Sequence, residues 1–312
     1  MFWLIPSAFL LDLLLGDPHG WPHPVIGIGR FIKRLELVLA SVLDNRRLAG
    51  VLLALGTIAT TGLVTWGTLC LAGAIHPLLG LAAAVWLGYT TLALRSLHVE
   101  SRRVVRYLEQ GRIEEARRAL SLIVGRDTSQ LNEEDILRAC IETVAENTSD
   151  GVIGPLFYLF LGGPVLAMMY KAASTLDSMV GYTDDRYREM GWASARFDDL
   201  INLVPARLTG LLMMLAAFPL GLNPWAALKV MLRDARKTSS PNAGFPESAA
   251  AGAIGIQLGG PATYFGERVD KPTLGDADRK IDLRCYRAMI RLMYLTALAA
   301  MLLGMVLIWP FQ

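Results

Sequence analysis

The stretch AGVLLALGTIATTGLVTWGTLCLAGAI, Ala49–Ile75, decides the fold. It runs for 27 residues without a charge, and about 20 apolar residues are enough to cross the hydrocarbon core of a bilayer. After His76 comes PLLGLAAAVWLGYTTLAL, Pro77–Leu94, another 18 uncharged residues, so the two read as a hairpin of spans. Leu208–Leu228 and Leu292–Gln312 are also long enough. Met1–Leu15 is short, and Asp12 near its end marks a helix terminus at the membrane interface or inside the bundle. Val152–Tyr170 contains Gly154-Pro155 and Gly162-Gly163-Pro164 and is either a broken span or a re-entrant pair of half-helices. Irregular backbone at membrane depth has to satisfy its amides within protein or a polar cavity. Ser248–Phe265 is uncharged as well, but Gly259-Gly260-Pro261 favours a loop. The expected fold is all-α: a polytopic membrane helical bundle forming one integral domain over 1–312, with about five spans.

Composition agrees. Of 312 residues 53% are hydrophobic and 19% charged, against roughly 25% charged in soluble domains. The net charge of +2 argues against a nucleic-acid binder, which would normally carry a basic excess. Apart from Asp12, every charged residue falls in one of four blocks: 16–48, 95–151, 171–207 and 229–291. The three cysteines, Cys70, Cys140 and Cys285, are isolated, which argues against a disulfide framework or structural zinc. Met1–Leu15 has neither a basic n-region nor a small-residue cleavage site and reads as a retained segment. Arg30, Lys33, Arg34, Arg46 and Arg47 follow it, so the positive-inside rule places 16–48 in the cytoplasm and Met1 outside. If Val152–Tyr170 crosses fully, block 171–207 faces outside; if it is re-entrant, that block stays with the others.

Block 95–151 reads as helical, interrupted at Gly111, with apolar residues at helical spacing. Asn132, followed by Glu133, Glu134 and Asp135, is a helix N-cap with acids in the first turn. This helix runs into Glu142 and Glu146, four apart and therefore on one face. Like charges at that spacing repel unless a cation, a proton or a basic partner separates them. With Asn147 and Asp150 after them and Arg126-Asp127-Thr128-Ser129 upstream, they form either a solvated acidic helix end or a metal or phosphate site. Lys171, Thr175 and Ser178 share a second helical face, flanked by Ser174 and Asp177; the alternatives are phosphate capture and a snorkelling lysine. In a third cluster Asp198 and Asn202 are four apart, and Arg196 is placed to pair with Asp199, either at a site or as a local ion-pair network. The fourth is the glycine-rich stretch from Ser239 to Pro272, with Ser240, Asn242, Glu247 and Lys271. Glycines there allow close backbone approach to a ligand, yet no phosphate-loop, dinucleotide or nucleophile-elbow fingerprint is present.

Taken in order, these motifs resemble the adenosylcobinamide-phosphate synthase family, CbiB/CobD, of cobalamin biosynthesis. The matching stretches are Gly16-Asp17-Pro18-His19 with Trp21–Val25, Val124–Ser129, Glu142–Gly151, Tyr170–Tyr182, Asp198–Arg207, and Ser240-Pro241-Asn242 through Lys271-Pro272. Ser174 stands where the family usually has Asn, and Phe245 where Trp is usual. The resemblance implies a multi-pass enzyme of the bacterial inner membrane with its active site on the cytoplasmic side. It would join adenosylcobyric acid to aminopropanol phosphate through an amide, with ATP as co-substrate and Mg²⁺. A carboxylate is a poor acyl donor, so an acyl phosphate is the simplest activated form; cations then stabilise the transferring phosphoryl group, and a base takes the amine proton.

On that resemblance Glu142, Glu146, Asp150 and Asp177 are the expected metal ligands, and Lys171, Asp198, Asp199 and Asn202 the catalytic set. His19, His23, Arg126, Asp127, Asn147, Thr175, Ser240, Asn242, Glu247 and Lys271 are the expected substrate and phosphate contacts. The implied partners are the corrinoid, aminopropanol phosphate and the lipid bilayer, and a homo-oligomer or association with other cobalamin-assembly enzymes is compatible with the reading. Two other readings stand beside it. One is a membrane transporter of a corrinoid or small anion, which usually carries an internal repeat, and none is found. The other is a non-catalytic AmpE-like sensor or scaffold, expected to lack the polar motifs.

Overall fold

The computed structural model describes residues 3–18, 20–182, 187–264 and 266–311. In chain order the helices are α1 (Leu4–Leu15), α2 (Pro24–Val42), α3 (Arg46–Ile75), α4 (Pro77–Tyr89), α5 (Leu94–Glu109), α6 (Ile113–Leu120), α7 (Glu133–Thr148), α8 (Gly154–Val180), α9 (Trp192–Ile201), α10 (Leu203–Ala217), α11 (Pro224–Asp234), α12 (Gly244–Ile254) and α13 (Leu283–Ile308). Strands β1 (Leu258–Tyr264) and β2 (Glu267–Leu274) form one antiparallel hairpin. The all-α reading holds, with this hairpin as a small addition. Among the described residues four helical stretches are long and apolar enough to cross a membrane: Arg46–Ile75, Pro77–Glu109, Glu133–Val180 and Leu283–Ile308. The broken pair Trp192–Ile201 and Leu203–Ala217 adds a fifth if taken as one span.

The chain divides into two compact units. The first comprises residues 1–93, 154–202 and 304–312; the second comprises 94–153 and 203–303. In the first unit the inner face of α2 (Ile28, Ile32) packs with Leu53 and Ile58 of α3 and Met168 and Leu176 of α8 in one buried cluster. The expected break in the 152–170 segment is present. Gly163 takes φ +66° and ψ −162°, a conformation closed to other residues, and Pro164 follows it, so α8 is kinked there. Immediately before α8, Ser149–Ile153 forms a π-helical turn.

In the second unit α5 and α6 are separated at Gly111 (φ +70°), as the sequence indicates. Two expectations fail. Leu208–Leu228 is not a single span: α10 ends at Ala217, Gly221 turns with φ +67°, and α11 starts at Pro224 behind an Asn223 cap. Asn223 Oδ1 accepts from Ala226 N at 2.9 Å. Pro219, Gly221 and Asn223-Pro224 are stop and start signals that outweigh the apolar run. Nor is 248–265 a loop. Its alanines form the buried helix α12, packed against α10 and α11 so closely that a Cβ on Gly252 would strike the Ala226 carbonyl. Small side chains here permit backbone approach.

The Asn132 cap is formed: its Oδ1 accepts from Asp135 N at 3.0 Å, at the head of an acidic first turn. Asn132→Ala should cost about 1 kcal/mol and speed amide exchange at Asp135, whereas Asn132→Asp should keep both, as read by thermal melting and hydrogen exchange.

Candidate functional site: a two-signed cleft in the second unit

Three segments converge on α7. The loop before it carries Arg126, whose guanidinium pairs with Glu142 Oε2; the two side chains are 14% and 5% exposed. The other carboxylate oxygen of Glu142 accepts from Gly259 N at 2.6 Å, at the root of β1. Beside it Asp127 N donates to Thr263 O at 2.8 Å, so the loop and β1 are joined twice to their surroundings. Gly259 takes φ +75° next to a register shift between Gly259 and Pro261, and a Cβ there would collide with the Pro272 carbonyl. Only glycine therefore allows β1 to pair this closely with β2 at the root of the hairpin. The repulsion expected between Glu142 and Glu146 is resolved by a basic partner, Arg126. Burial works against the Arg126 charge, and the Glu142 carboxylate outweighs it, holding the guanidinium above its usual range.

The hairpin, α7, α12 and the 236–243 turn enclose a cleft of about 470 Å³, within the usual size range for small-molecule sites. Arg126, Glu142, Glu146, Asn147, Ser240, Glu247 and Lys271 of the expected residues line it. Glu247, in the first turn of α12, is pushed well above the ordinary carboxyl range by burial and then by Glu146 and Glu142, with Lys271 and Arg126 acting in the opposite direction. Lys271 lies over the Tyr264 ring, 4.8 Å from its centroid. Ser240 Oγ accepts from Asn242 N and Ala243 N at 3.2 Å each, shaping the turn into α12. Asn242 Oδ1 accepts from Arg207, which stacks at 4.2 Å on Phe245, the residue standing where Trp is usual.

The lining also includes Ser239, where the fourth cluster starts, and Lys237 and Thr238, which sequence reasoning missed. Lys237 is held by Asp234, at 2.6 Å. Asp234 is fully buried, is gripped by Nε and Nη2 of Arg233 at 2.8 Å each, and accepts from Gly275 N at 2.8 Å, where β2 ends. Its carboxyl is held far below the usual range, first by Arg233, with Lys237 and Gly275 N adding to the effect. Nothing in the sequence separates this aspartate from its neighbours except Lys237 at i+3.

The other expected residues lie elsewhere. Asp127 is exposed and caps Ser129 N at 2.9 Å, and Asp150 sits in the π-helical turn. Lys171, Thr175, Asp177, Asp198, Asp199, Asn202 and His23 belong to the first unit, and His19 lies outside the described residues. Two pairings expected there are present: Asn202 Nδ2 donates to Asp198 at 3.0 Å, and Arg196 approaches Asp199 at 3.8 Å. Asn202, buried, also accepts from Tyr170 OH at 2.7 Å, and Tyr170 stacks on Tyr158. Thr175 and Ser178 hydroxyls donate back to the carbonyls of Lys171 and Ser174 within α8. His23 Nδ1 caps α2 by accepting from Val25 N, and its Nε2 lies 3.3 Å from Asp17. Among the described residues no group of three or more His, Cys, Asp or Glu side chains is placed to hold a metal ion.

Asp234 yields a pH-signed expectation. A carboxylate with a depressed folded-state pKa stabilises the fold above the ordinary carboxylate range and loses that contribution as pH falls. Asp234→Asn should therefore destabilise the protein by about 3 kcal/mol at pH 7, and the gap from the unsubstituted protein should narrow as thermal melts are taken to pH 4 and below.

Comparison with known proteins places this geometry in a family. Residues 5–293 match the CobD/Cbib protein family. The chain is 54% identical over 291 residues to the cobalamin biosynthesis protein CobD of Geobacter metallireducens, covering 93% of this chain and 92% of that one. It is 48% identical over 299 residues to CobD of Listeria monocytogenes, covering 95% of each. With the cobalamin biosynthesis protein CbiB of Salmonella typhimurium it shares 49% identity over 299 residues, 95% of this chain and 94% of that one. No solved structure matches. The chain belongs to the CobD/CbiB family of cobalamin biosynthesis proteins.

Proposed function

We propose that this protein is an ATP-dependent ligase of cobalamin biosynthesis that joins adenosylcobyric acid to (R)-1-aminopropan-2-ol O-phosphate, giving adenosylcobinamide phosphate. One observation carries the reading beyond the family: a single cleft holds charges of both signs, the carboxylates Glu146 and Glu247 together with Lys271, Lys237 and the hydroxyls of Thr238, Ser239 and Ser240. An amino-alkyl phosphate is a small zwitterion with matching ends. Its ammonium finds Glu247, and its phosphate finds Lys237, Lys271 and the hydroxyls, which favours the phosphorylated amine over the free one.

The chemistry then divides simply. A carboxylate oxygen of the corrinoid attacks the γ-phosphorus of ATP and ADP leaves. The ammonium first gives a proton to Glu247; the free amine then attacks the acyl carbon and phosphate leaves, taking up the second proton that nitrogen sheds. Of the four carboxylates expected to bind Mg²⁺, Glu142 is occupied by Arg126 and Gly259 N, and neither Asp150 nor Asp177 lines the cleft. Glu146 remains. Mg²⁺ commonly needs only one or two carboxylates when substrate phosphates complete its shell, so the donor set suits an ion arriving on ATP, where it would neutralise phosphate charge. Lys171, Asp198, Asp199 and Asn202, in the first unit, carry no step in this scheme.

Purified protein supplied with adenosylcobyric acid, aminopropanol phosphate and Mg-ATP should form adenosylcobinamide phosphate, detected by mass spectrometry, and none without ATP. ATP-independent uptake of corrinoid into vesicles, with no product, would contradict the reading. Lys237→Ala should raise KM for aminopropanol phosphate about tenfold with little change in KM for ATP, and Glu247→Gln should lower kcat by about 10²-fold or more.

A further inference from the structure

Helix α2 carries a feature that the cleft of the second unit does not use. Its inner face is buried, but Arg30, Lys33 and Arg34 are exposed and carry no ion pair among the described residues. The next two cations behave differently: Arg46 donates to Ala40 O at 3.3 Å and Arg47 stacks on Trp192 at 4.2 Å. Ile26, Arg30, Lys33 and Leu37 follow one another at i, i+4, i+7 and i+11 and so form a single stripe on the helix. Its ends are apolar and more than half exposed, at 52% for Ile26 and 67% for Leu37. Charges in mid-helix rule out a span, while exposed apolar shoulders would be costly in water. This pattern belongs to a helix lying in a membrane interface.

The stripe also lines a depression. A cleft of about 740 Å³ is bounded by Ile26, Arg30, Lys33, Glu36 and Leu37 of α2 with Met179 of α8 and Tyr187. Glu36, the one acid among these, is buried, at 8% exposure, whereas both cations are exposed. Cations flanked by apolar surface suit a ligand that is anionic at one end and hydrocarbon beyond it.

We propose that α2 is an interfacial helix whose Arg30–Lys33 cleft binds an anionic phospholipid, its phosphodiester between the two cations and its acyl chains along Ile26, Leu37 and Met179. The helix holds the first unit to the negatively charged leaflet, independently of the reaction proposed for the second unit. A soluble phosphate has the charge but cannot use the apolar shoulders, and a zwitterionic lipid has the chains but lacks net charge.

The full chain, purified in detergent, is titrated with phosphatidylglycerol and with phosphatidylcholine, and retained lipid is counted by native mass spectrometry. Phosphatidylglycerol should be retained preferentially. Each basic residue near an anionic surface contributes about a fivefold effect, so Arg30→Gln with Lys33→Gln should cut phosphatidylglycerol retention about thirtyfold and leave phosphatidylcholine unchanged. The charge-keeping pair Arg30→Lys with Lys33→Arg should retain the preference. Equal retention of the two lipids would overturn the proposal, as would a preference that survives the neutral double variant. Displacement of the lipid by inorganic phosphate at matched concentration, or capture of a protein partner with no lipid, would also overturn it. If the double variant does not fold, the single variants Arg30→Gln and Lys33→Gln keep the test: each should cut phosphatidylglycerol retention about fivefold, and no change in either would overturn the proposal.

Discussion

The second unit depends on one carboxylate with two partners. Glu142 is almost fully buried, with Arg126 on one oxygen and Gly259 N on the other. A buried ion pair is a weak source of net stability, but removing one partner leaves an uncompensated charge and costs roughly 3–5 kcal/mol. Its value is positional. The loop before α7, α7 itself and the root of the hairpin all meet at this side chain, and the hairpin carries Lys271 and Tyr264 into the cleft. This carboxylate assembles one wall of the cleft.

The same economy recurs at the far root of the hairpin. Asp234 links α11, the start of the 236–243 turn and Gly275 after β2, and in doing so fixes Lys237 at the cleft. Both hairpin roots are thus fastened by a buried carboxylate accepting a glycine N–H, at Gly259 and Gly275, each with positive φ. Glycine is needed at both because the backbone approach leaves no room for a side chain. Between these fastenings α12 supplies Glu247 from a helix of small residues that can lie deep among α10 and α11.

What was legible in the sequence follows from which forces act locally. Spans, the Asn132 cap, the Gly111 interruption and the Gly162-Gly163-Pro164 break all rest on runs, caps and breakers that act within a few residues. The Asp198–Asn202 and Arg196–Asp199 pairs were readable because helical spacing alone creates them. The span expected at 208–228 is broken because Pro219, Gly221 and Asn223-Pro224 outweigh its hydropathy as stop and start signals. Helix α12 was missed because its alanines and glycines are explained by packing against α10 and α11, which no local pattern reports. For the same reason the two partners of Glu142 are not readable locally: Arg126 and Gly259 are 16 and 117 residues away. Lys237 was overlooked because only Asp234, tied to Gly275 by a bond across 41 residues, gives it a fixed place.

Hydrogen exchange in the hairpin measures this account most directly. If Glu142 fastens the hairpin, Glu142→Ala in the full-length protein should accelerate amide exchange at Gly259 and along 258–274, and at Asp127, by about tenfold or more, while the helical amides of α5 and α13 stay protected. Exchange in the hairpin indistinguishable from the unsubstituted protein, accompanied by loss of activity, would contradict it and make Glu142 a ligand for substrate or metal.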